Sequence, residues 1–377
     1  MKNSLFLLLA ILVCHLNINA QPNTRRVINI PDIPGYHTLK CDLHMHTVFS
    51  DGNVWPSIRV AEAWQEGLDA IAITDHMEHH PHKDDLPVQF GRAYEIAKPH
   101  ADNMGLLLIR SAEITRQMPP GHFNCLFLED VAALDQEDFW ASMSAAVDQG
   151  AYIFWNHPGW RQKDEIPIWY DEHDSIYDLG WMHGMEIVNE SSYYPLAYQW
   201  CLEKGITIFG NSDVHNPTGI DFYSGGEETR SLTLVFAREK NIESVREALD
   251  AGRTAVWRGN DLFGQPTFLE AIFDQSVRVI SQPVRLKGNK SSFVQVINES
   301  DIAFNLTMGE KLEGFSYAPE IVLYPGRIAI LRLSNIIQGK EGKSDISIPY
   351  SVTNLFTGPD EHLSVTLDMQ VNLLPEE

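Results

Sequence analysis

Two histidines stand two residues apart in "KCDLHMHTVFSDG", residues 40–52, and an aspartate follows, giving His44, His46 and Asp51. Similar residues recur at the ends of apolar runs. "AIAITDH" supplies Asp75 and His76, "LLLIRSAE" Glu113, "HFNCLFL" His122, "YIFWNHPG" His157, and "ITIFGNSDVH" Asp213 and His215. Imidazoles and carboxylates converging on one mouth make a site for divalent transition metals such as zinc, manganese or iron. Leaving Asp75 aside, the six histidines, two aspartates and one glutamate of this set exceed the needs of one ion. At about four to six ligands per ion, some of them shared, they suit two or three. Glu113 is the best candidate for a bridging carboxylate. Each residue alone is weak evidence, since a lone strand-end histidine is more often a satisfied polar group. The coincidence of all of them at corresponding positions carries the weight.

Clustered divalent ions lower the pKa of a shared water and supply hydroxide at neutral pH, and they neutralise charge on a phosphoryl group under in-line attack. No protein nucleophile is required. The chain has no GxSxG elbow and no cysteine with an evident histidine partner, so covalent catalysis is the weaker reading. Phosphate esters also call for cationic clamps, and Arg116, Arg161 and Arg230 lie near the run ends. A guanidinium suits phosphate oxygens; the alternative for each is an ordinary ion pair. Asp75, directly before His76, reads as a residue that orients a ligand, with proton shuttling as the alternative. Trp155, Trp160 and Trp181 are candidates for lining a substrate pocket, with core packing the alternative. His79, His80 and His82 fall in the polar stretch "HMEHHPHKDD" and read as solvated surface or adventitious metal contacts. His37, His100, His173, His183 and His362 receive no functional role.

These residues need a scaffold that brings run ends together. From about His37 to Trp257, short apolar runs alternate with helix-like stretches such as "SIRVAEAWQEG" and "NIESVREALDAGR". Strand alternating with helix implies a parallel sheet with crossovers, and the strand count suits a closed barrel whose strand ends form one rim. "EITRQMPPGHFNC" joins two strands by a turn, so the barrel is expected to be irregular. Period-2 alternation directs His44 with His46, and Asp213 with His215, toward the same side. From roughly Ala271 the texture becomes β-rich without a helical period, which reads as a sandwich of about a hundred residues. The expected organisation is residues 1–20 as a signal peptide, 21–36 as an N-terminal extension, 37–272 as the barrel and 273–377 as the sandwich. The sandwich is read as covering one side of the barrel or mediating association.

The opening "MKNSLFLLLAILVCHLNINAQP" carries a basic Lys2 and an apolar run too short to span a bilayer, with Ile18-Asn19-Ala20 as a cleavage site. A lipoprotein anchor on Cys14 or a retained membrane anchor ranks below it. A secreted or periplasmic location follows as an expectation, without membrane association after cleavage. Cys41, Cys125 and Cys201 lack CxxC spacing and read as small core residues. A net charge of -23 disfavours polynucleotides and anionic membranes, leaving a small phosphate ester as the expected partner.

In order and context, "DLHMHTVFSDG", "AIAITDH", "SAEIT", "GHFN", "NHPG" and "GNSDVH" resemble the motifs of the PHP (polymerase and histidinol phosphatase) superfamily. The resemblance spans roughly residues 37–264. It implies metal ligands at His44, His46, Asp51, His76, Glu113, His122, His157, Asp213 and His215. At the position of Asp51 the family varies between histidine and aspartate. The implied fold is a distorted seven-stranded β/α barrel, TIM-like, with a dinuclear or trinuclear centre, to which the β-rich texture adds a C-terminal all-β sandwich. The implied reaction is phosphate-ester hydrolysis. The N-terminal signal and the β-rich tail resemble secreted bacterial PHP phosphodiesterases, which favours small phosphodiesters. The alternatives are a histidinol-phosphatase type of phosphomonoesterase, an amidohydrolase-like metal hydrolase, and a non-catalytic glycan- or protein-binding chain with a degenerate barrel.

Overall fold

A computed structural model describes residues 24–222, 230–280, 282–336 and 341–375. The expected signal peptide lies outside the described residues. Strands β1 (His37–Asp42), β2 (Ala70–Ile73), β3 (Leu107–Thr115), β4 (His122–Leu126), β5 (Tyr152–Trp155) and β6 (Gly184–Asn189) pair in that order. A short β7 (Ser192–Tyr193) folds back on β6, and β8 (Thr207–Asn211) lies parallel to β6 on its other side. Just past their ends, the β1 and β8 chains meet in a parallel bridge between Met45 and Val214. That bridge closes a ring of seven strands at the rim. Below it β9 (Leu232–Ala237) lies against β1 and reaches β8 through Thr233, whose hydroxyl donates to Gly210 O at 2.9 Å.

Most crossovers are helices, as the alternating pattern predicts. They are α1 (Pro56–Gln65), α2 (Arg92–Met104), α3 (Phe139–Val147), α4 (Asp171–Asp178), α5 (Pro195–Lys204), α6 (Thr218–Asp221) and α7 (Ile242–Asp250). Local caps mark the starts. α1 opens on Pro56, α3 on Asp138, whose carboxylate accepts from Ala141 N at 2.9 Å, and α7 on Asn241, which accepts from Ser244 N at 2.8 Å. On α7, Val245, Ala248 and Leu249 pack with Leu39, Cys41 and Val235. Two strands depart from a parallel barrel. β4 runs antiparallel to both β3 and β5, as its turn connection implies. β9 runs antiparallel to β1 because the chain after β8 is still at the rim, and β9 starts there and descends.

The hairpin β10 (Thr254–Arg258) and β11 (Asp261–Gly264) leads to α8 (Pro266–Ser276). The sequence reads as β-rich from about Ala271, yet α8 continues to Ser276. Its buried Leu269, Ile272 and Phe273 follow the helical i, i+3, i+4 spacing, and the expected junction after Ile272 falls inside this helix. The β domain follows with β12 (Val277–Val279), β13 (Val284–Lys287), β14 (Ser291–Asn298), β15 (Phe304–Met308), β16 (Phe315–Tyr317), β17 (Glu320–Leu323), β18 (Ile328–Asn335), β19 (Gly342–Phe356) and β20 (His362–Leu374). One sheet is ordered β12-β14-β18-β16; the other contains β13, β20, β19, β15 and β17. Every second residue of β20 from Leu363 to Leu373 is buried, the period of a strand with one dry face. β19 also pairs in parallel with β11, through Leu262–Leu355 and Phe263–Phe356, so the sandwich continues the barrel's hairpin. Among the described residues, no helix is long and apolar enough to cross a membrane.

Candidate metal centre

The bridge that closes the barrel also sets the site. His46 N donates to Val214 O at 3.0 Å and Asp213 N donates to His44 O at 2.9 Å. The HxH and DxH segments are thereby zipped together. Nε2 of His44 and of His46 lie 3.1 and 3.0 Å from Asp213 Oδ1, and both lie 3.3 Å from Glu113 Oε2. The other Glu113 oxygen, Oε1, faces His122 Nδ1 at 2.7 Å and His157 Nε2 at 3.9 Å. On the opposite flank, Asp51 Oδ1 lies 3.5 Å from His76 Nε2 and 3.3 Å from His215 Nε2. The structure thus brings all nine expected ligands into one cavity, in overlapping sets.

These contacts are close but lack hydrogen-bond alignment. His44 Nε2, His46 Nε2, both Glu113 oxygens, His122 Nδ1 and Asp213 Oδ1 are buried without a hydrogen-bond partner. Each such atom costs about 1–3 kcal/mol when nothing satisfies it. Lone pairs of nitrogen and oxygen aimed at shared points between them fit divalent cations. Charge is unevenly distributed in the protein alone. Burial, together with neighbouring imidazoles, pushes His46 and His157 down to about 3. Burial opposes charge on His76 and His215 too, but adjacent carboxylates prevail and hold them up to about 10 and about 9. Surrounding imidazoles overcome burial at Glu113 and Asp213 and keep both carboxyls well below the usual range.

Several of the rings are aimed by a neighbouring group. Glu186, absent from the expected set, places Oε1 2.9 Å from His44 Nδ1. It also accepts from His157 N at 2.8 Å, Asn189 Nδ2 at 2.9 Å and Asn211 Nδ2 at 2.9 Å. His76 Nδ1 meets Thr115 Oγ1 at 2.6 Å, and His215 Nδ1 donates to Asp213 O at 2.6 Å. Such partners select which nitrogen faces a metal. Asp75 accepts from Thr47 N at 2.7 Å, Thr47 Oγ1 at 2.7 Å and Ser50 Oγ at 2.9 Å, holding the turn that carries Asp51. That turn is tight: a Cβ on Gly52 would stand 2.7 Å from the His46 carbonyl carbon. His157 and Asp213 adopt positive φ, +27° and +50°, a conformation that other residues must hold in place.

The three arginines separate. Arg230 is buried in a pair with Asp42, at 2.7 Å, and Glu66. Its guanidinium is committed inside the barrel wall, which corrects the expectation of a substrate clamp. Arg116 is engaged by Glu78 and by the Gln136 carbonyl. Arg161 is exposed at the mouth, its guanidinium 4.2 Å over the Trp160 ring, with no carboxylate partner among the described residues. Trp160 in turn lies 4.9 Å from the His122 ring and 5.3 Å from His157. Trp155 is fully buried against His173, while Trp181 is half-buried and packs near Trp140 against the core, away from the clustered histidines. His80 and His82 are not simply solvated. His80 bridges the carbonyls of Phe49 and Met77, at 3.0 and 2.9 Å, and His82 meets Gly52 O at 3.1 Å, tying their loop to the Asp51 turn. Cys41, Cys125 and Cys201 are buried free thiols, as expected.

Comparison with known proteins agrees with this arrangement. A family model described as a PHP domain matches residues 42–164, and one described as an Ig-like domain matches residues 277–368. The chain is similar to a solved two-domain protein from Bacteroides vulgatus containing a predicted PHP-like metal-dependent phosphoesterase. Identity is 38%, coverage is 93% of this chain and 100% of that one, and the TM-score is 0.86. Weaker likenesses reach a candidate metal-dependent phosphoesterase from Bifidobacterium adolescentis (17% identity, 55% and 95% covered, TM-score 0.39). They also reach an amidohydrolase from Chromobacterium violaceum (14%, 59% and 98%, TM-score 0.38). No curated protein matches the chain.

Proposed function

Because the chain belongs to the PHP superfamily of metal-dependent phosphoesterases, we propose that it is a secreted enzyme that holds three divalent ions and hydrolyses small phosphodiesters. The observation that carries this reading is the placement of Glu113. Each of its buried oxygens faces a different set of histidines, as a carboxylate shared between ions would. His44, His46, Asp213 and Glu113 form one set, and Glu113, His122 and His157 a second. Asp51, His76 and His215, with His46 beside them, form the third, and the sets overlap, since His76 Nδ1 also lies 3.1 Å from Glu113 Oε2. When bound, zinc, manganese or iron would supply Lewis acidity toward a phosphoryl oxygen and toward water.

The protein's part is orientation and exclusion. Glu186 fixes the His44 ring, Asp75 holds the Asp51 turn, and Trp160 walls the mouth beside His122 and His157. Arg161 offers a planar fork whose N–H edge remains open above that wall, suited to non-bridging phosphate oxygens. The resemblance of the N-terminal signal and the β-rich tail to secreted PHP phosphodiesterases favours a diester over a monoester. The net charge of -23 favours a small substrate over a polynucleotide.

The test is turnover of bis(4-nitrophenyl) phosphate and 4-nitrophenyl phosphate by protein of measured metal content. The diester should lead by at least about tenfold in kcat/KM, ~1.4 kcal/mol in transition-state binding. A lead for the monoester would move the assignment to a phosphomonoesterase. Turnover of lactones or amides alone would favour amidohydrolase-like chemistry.

A further inference from the structure

Arg59, in the middle of α1, is wholly excluded from solvent directly behind the metal ligands. Its guanidinium donates to a cluster of main-chain carbonyls. Nε and Nη2 reach His46 O at 3.2 and 3.0 Å; Nη2 also approaches Val214 O at 3.4 Å and His215 O at 3.2 Å. Nη1 donates to Asn216 O at 3.1 Å and to Glu62 Oε2 at 2.8 Å, while the other Glu62 oxygen accepts from Thr218 N at 3.1 Å.

The carbonyls belong to two chain segments. One leaves β1 and carries His46; the other leaves β8 and carries His215. Their ladder is short, and past Val214 the His215 carbonyl meets Asn53 N at 2.8 Å instead. Yet the His46 and His215 rings stack at 4.3 Å with an interplanar angle of 18°. Something must hold the segments at that separation. A planar guanidinium with five donors in a fixed fork can serve diverging carbonyls at once; an ammonium, with its donors on one atom, cannot.

We propose that Arg59 is the positioning residue of the third ion's ligand set. By fixing the β1 and β8 extensions against α1, it sets the span between His46 and His215 on which the Asp51, His76 and His215 group depends. Glu113, His122 and His157 lie on β3, on β4 and just past β5, which Arg59 does not touch, and His46 is also held beside Asp213 and Glu113, so the His215 side of the third set depends most on Arg59. The inference rests on the three-ion reading above.

The test counts zinc per chain by mass spectrometry after equilibrium dialysis of the intact protein, Arg59→Met and Arg59→Lys. Arg253→Met serves as a control, since Arg253 is another buried arginine but binds Phe236 O and Glu247 instead. Wild type and Arg253→Met should hold about three ions, and Arg59→Met about two. Arg59→Lys should hold its weakest ion at least about tenfold less tightly. Three ions at wild-type affinity in either Arg59 variant would overturn the proposal, and so would equal losses in the control. If Arg59→Met does not fold, Arg59→Lys decides alone. Fewer than three ions in the wild type would bring down the three-ion reading and this inference together, an outcome visible without any variant.

Discussion

Glu186 Oε1 lies 2.9 Å from His44 Nδ1, on the opposite edge of the ring from the nitrogen that faces Asp213 and Glu113. A buried carboxylate there fixes the ring and raises the basicity of its other nitrogen. Glu186→Gln removes the charge while nearly preserving the shape. Metal affinity, measured by chelator competition, should fall about 10- to 100-fold. Unchanged affinity would mean that His44 is oriented by packing alone.

Arg161 stacks on Trp160 and carries no ion pair among the described residues, so removing it strands no buried carboxylate. Arg161→Ala should leave metal content and melting temperature near wild type. It should raise KM for a diester about tenfold, ~1.4 kcal/mol, with a smaller effect on kcat. Arg161→Lys should recover only part of the loss, because an ammonium lacks the bidentate edge. A KM equal to wild type in Arg161→Ala would remove the residue from substrate binding.

The histidine shifts predict how metal-stripped protein responds to pH. His76 and His215 have raised values, about 10 and about 9 against an ordinary 6.5. Their protonated pairs with carboxylates contribute stability that is fully present below pH 6.5 and lost as pH rises through 9 to 10. His46 and His157 have values lowered to about 3. Their neutral, buried state contributes stability present above pH 6.5 and lost as pH falls toward 3. Stripped protein should therefore melt at its highest temperature near neutrality and at lower temperatures on both sides. Loaded protein should lose the alkaline decline, since ions then occupy the positions of those protons. A flat melting profile of stripped protein between neutrality and pH 9.5 would contradict this assignment of charge.

The clustered imidazoles and carboxylates were legible because a strand end fixes both location and facing. "HMH" and "SDVH" each place two donors two residues apart, and the barrel does the rest. Asp75 was legible for the same reason, by its place beside His76. Residues that act across long separations were not. Arg230 binds Asp42, and nothing local distinguishes that arginine from one aimed at substrate. Glu186 left a fainter mark, a lone carboxylate in the otherwise apolar "GMEIVN", whose strand is buried throughout. A charge kept in such a strand needs a partner, and that signal was available. Arg59 sits on a helix among apolar neighbours and binds carbonyls, which sequence does not display. The direction of β9 and the extent of α8 depended on where the preceding segment ended and on a helical apolar spacing that β-rich texture masked.

The central claim is that nine imidazole and carboxylate groups grip several cations at once. Metal content per chain, measured on purified protein dialysed without chelator, tests it most directly. About three divalent ions per chain should survive dialysis, and fewer in Glu113→Gln because that residue faces two sets. One ion or fewer in the wild type, removed by dialysis alone, would contradict it.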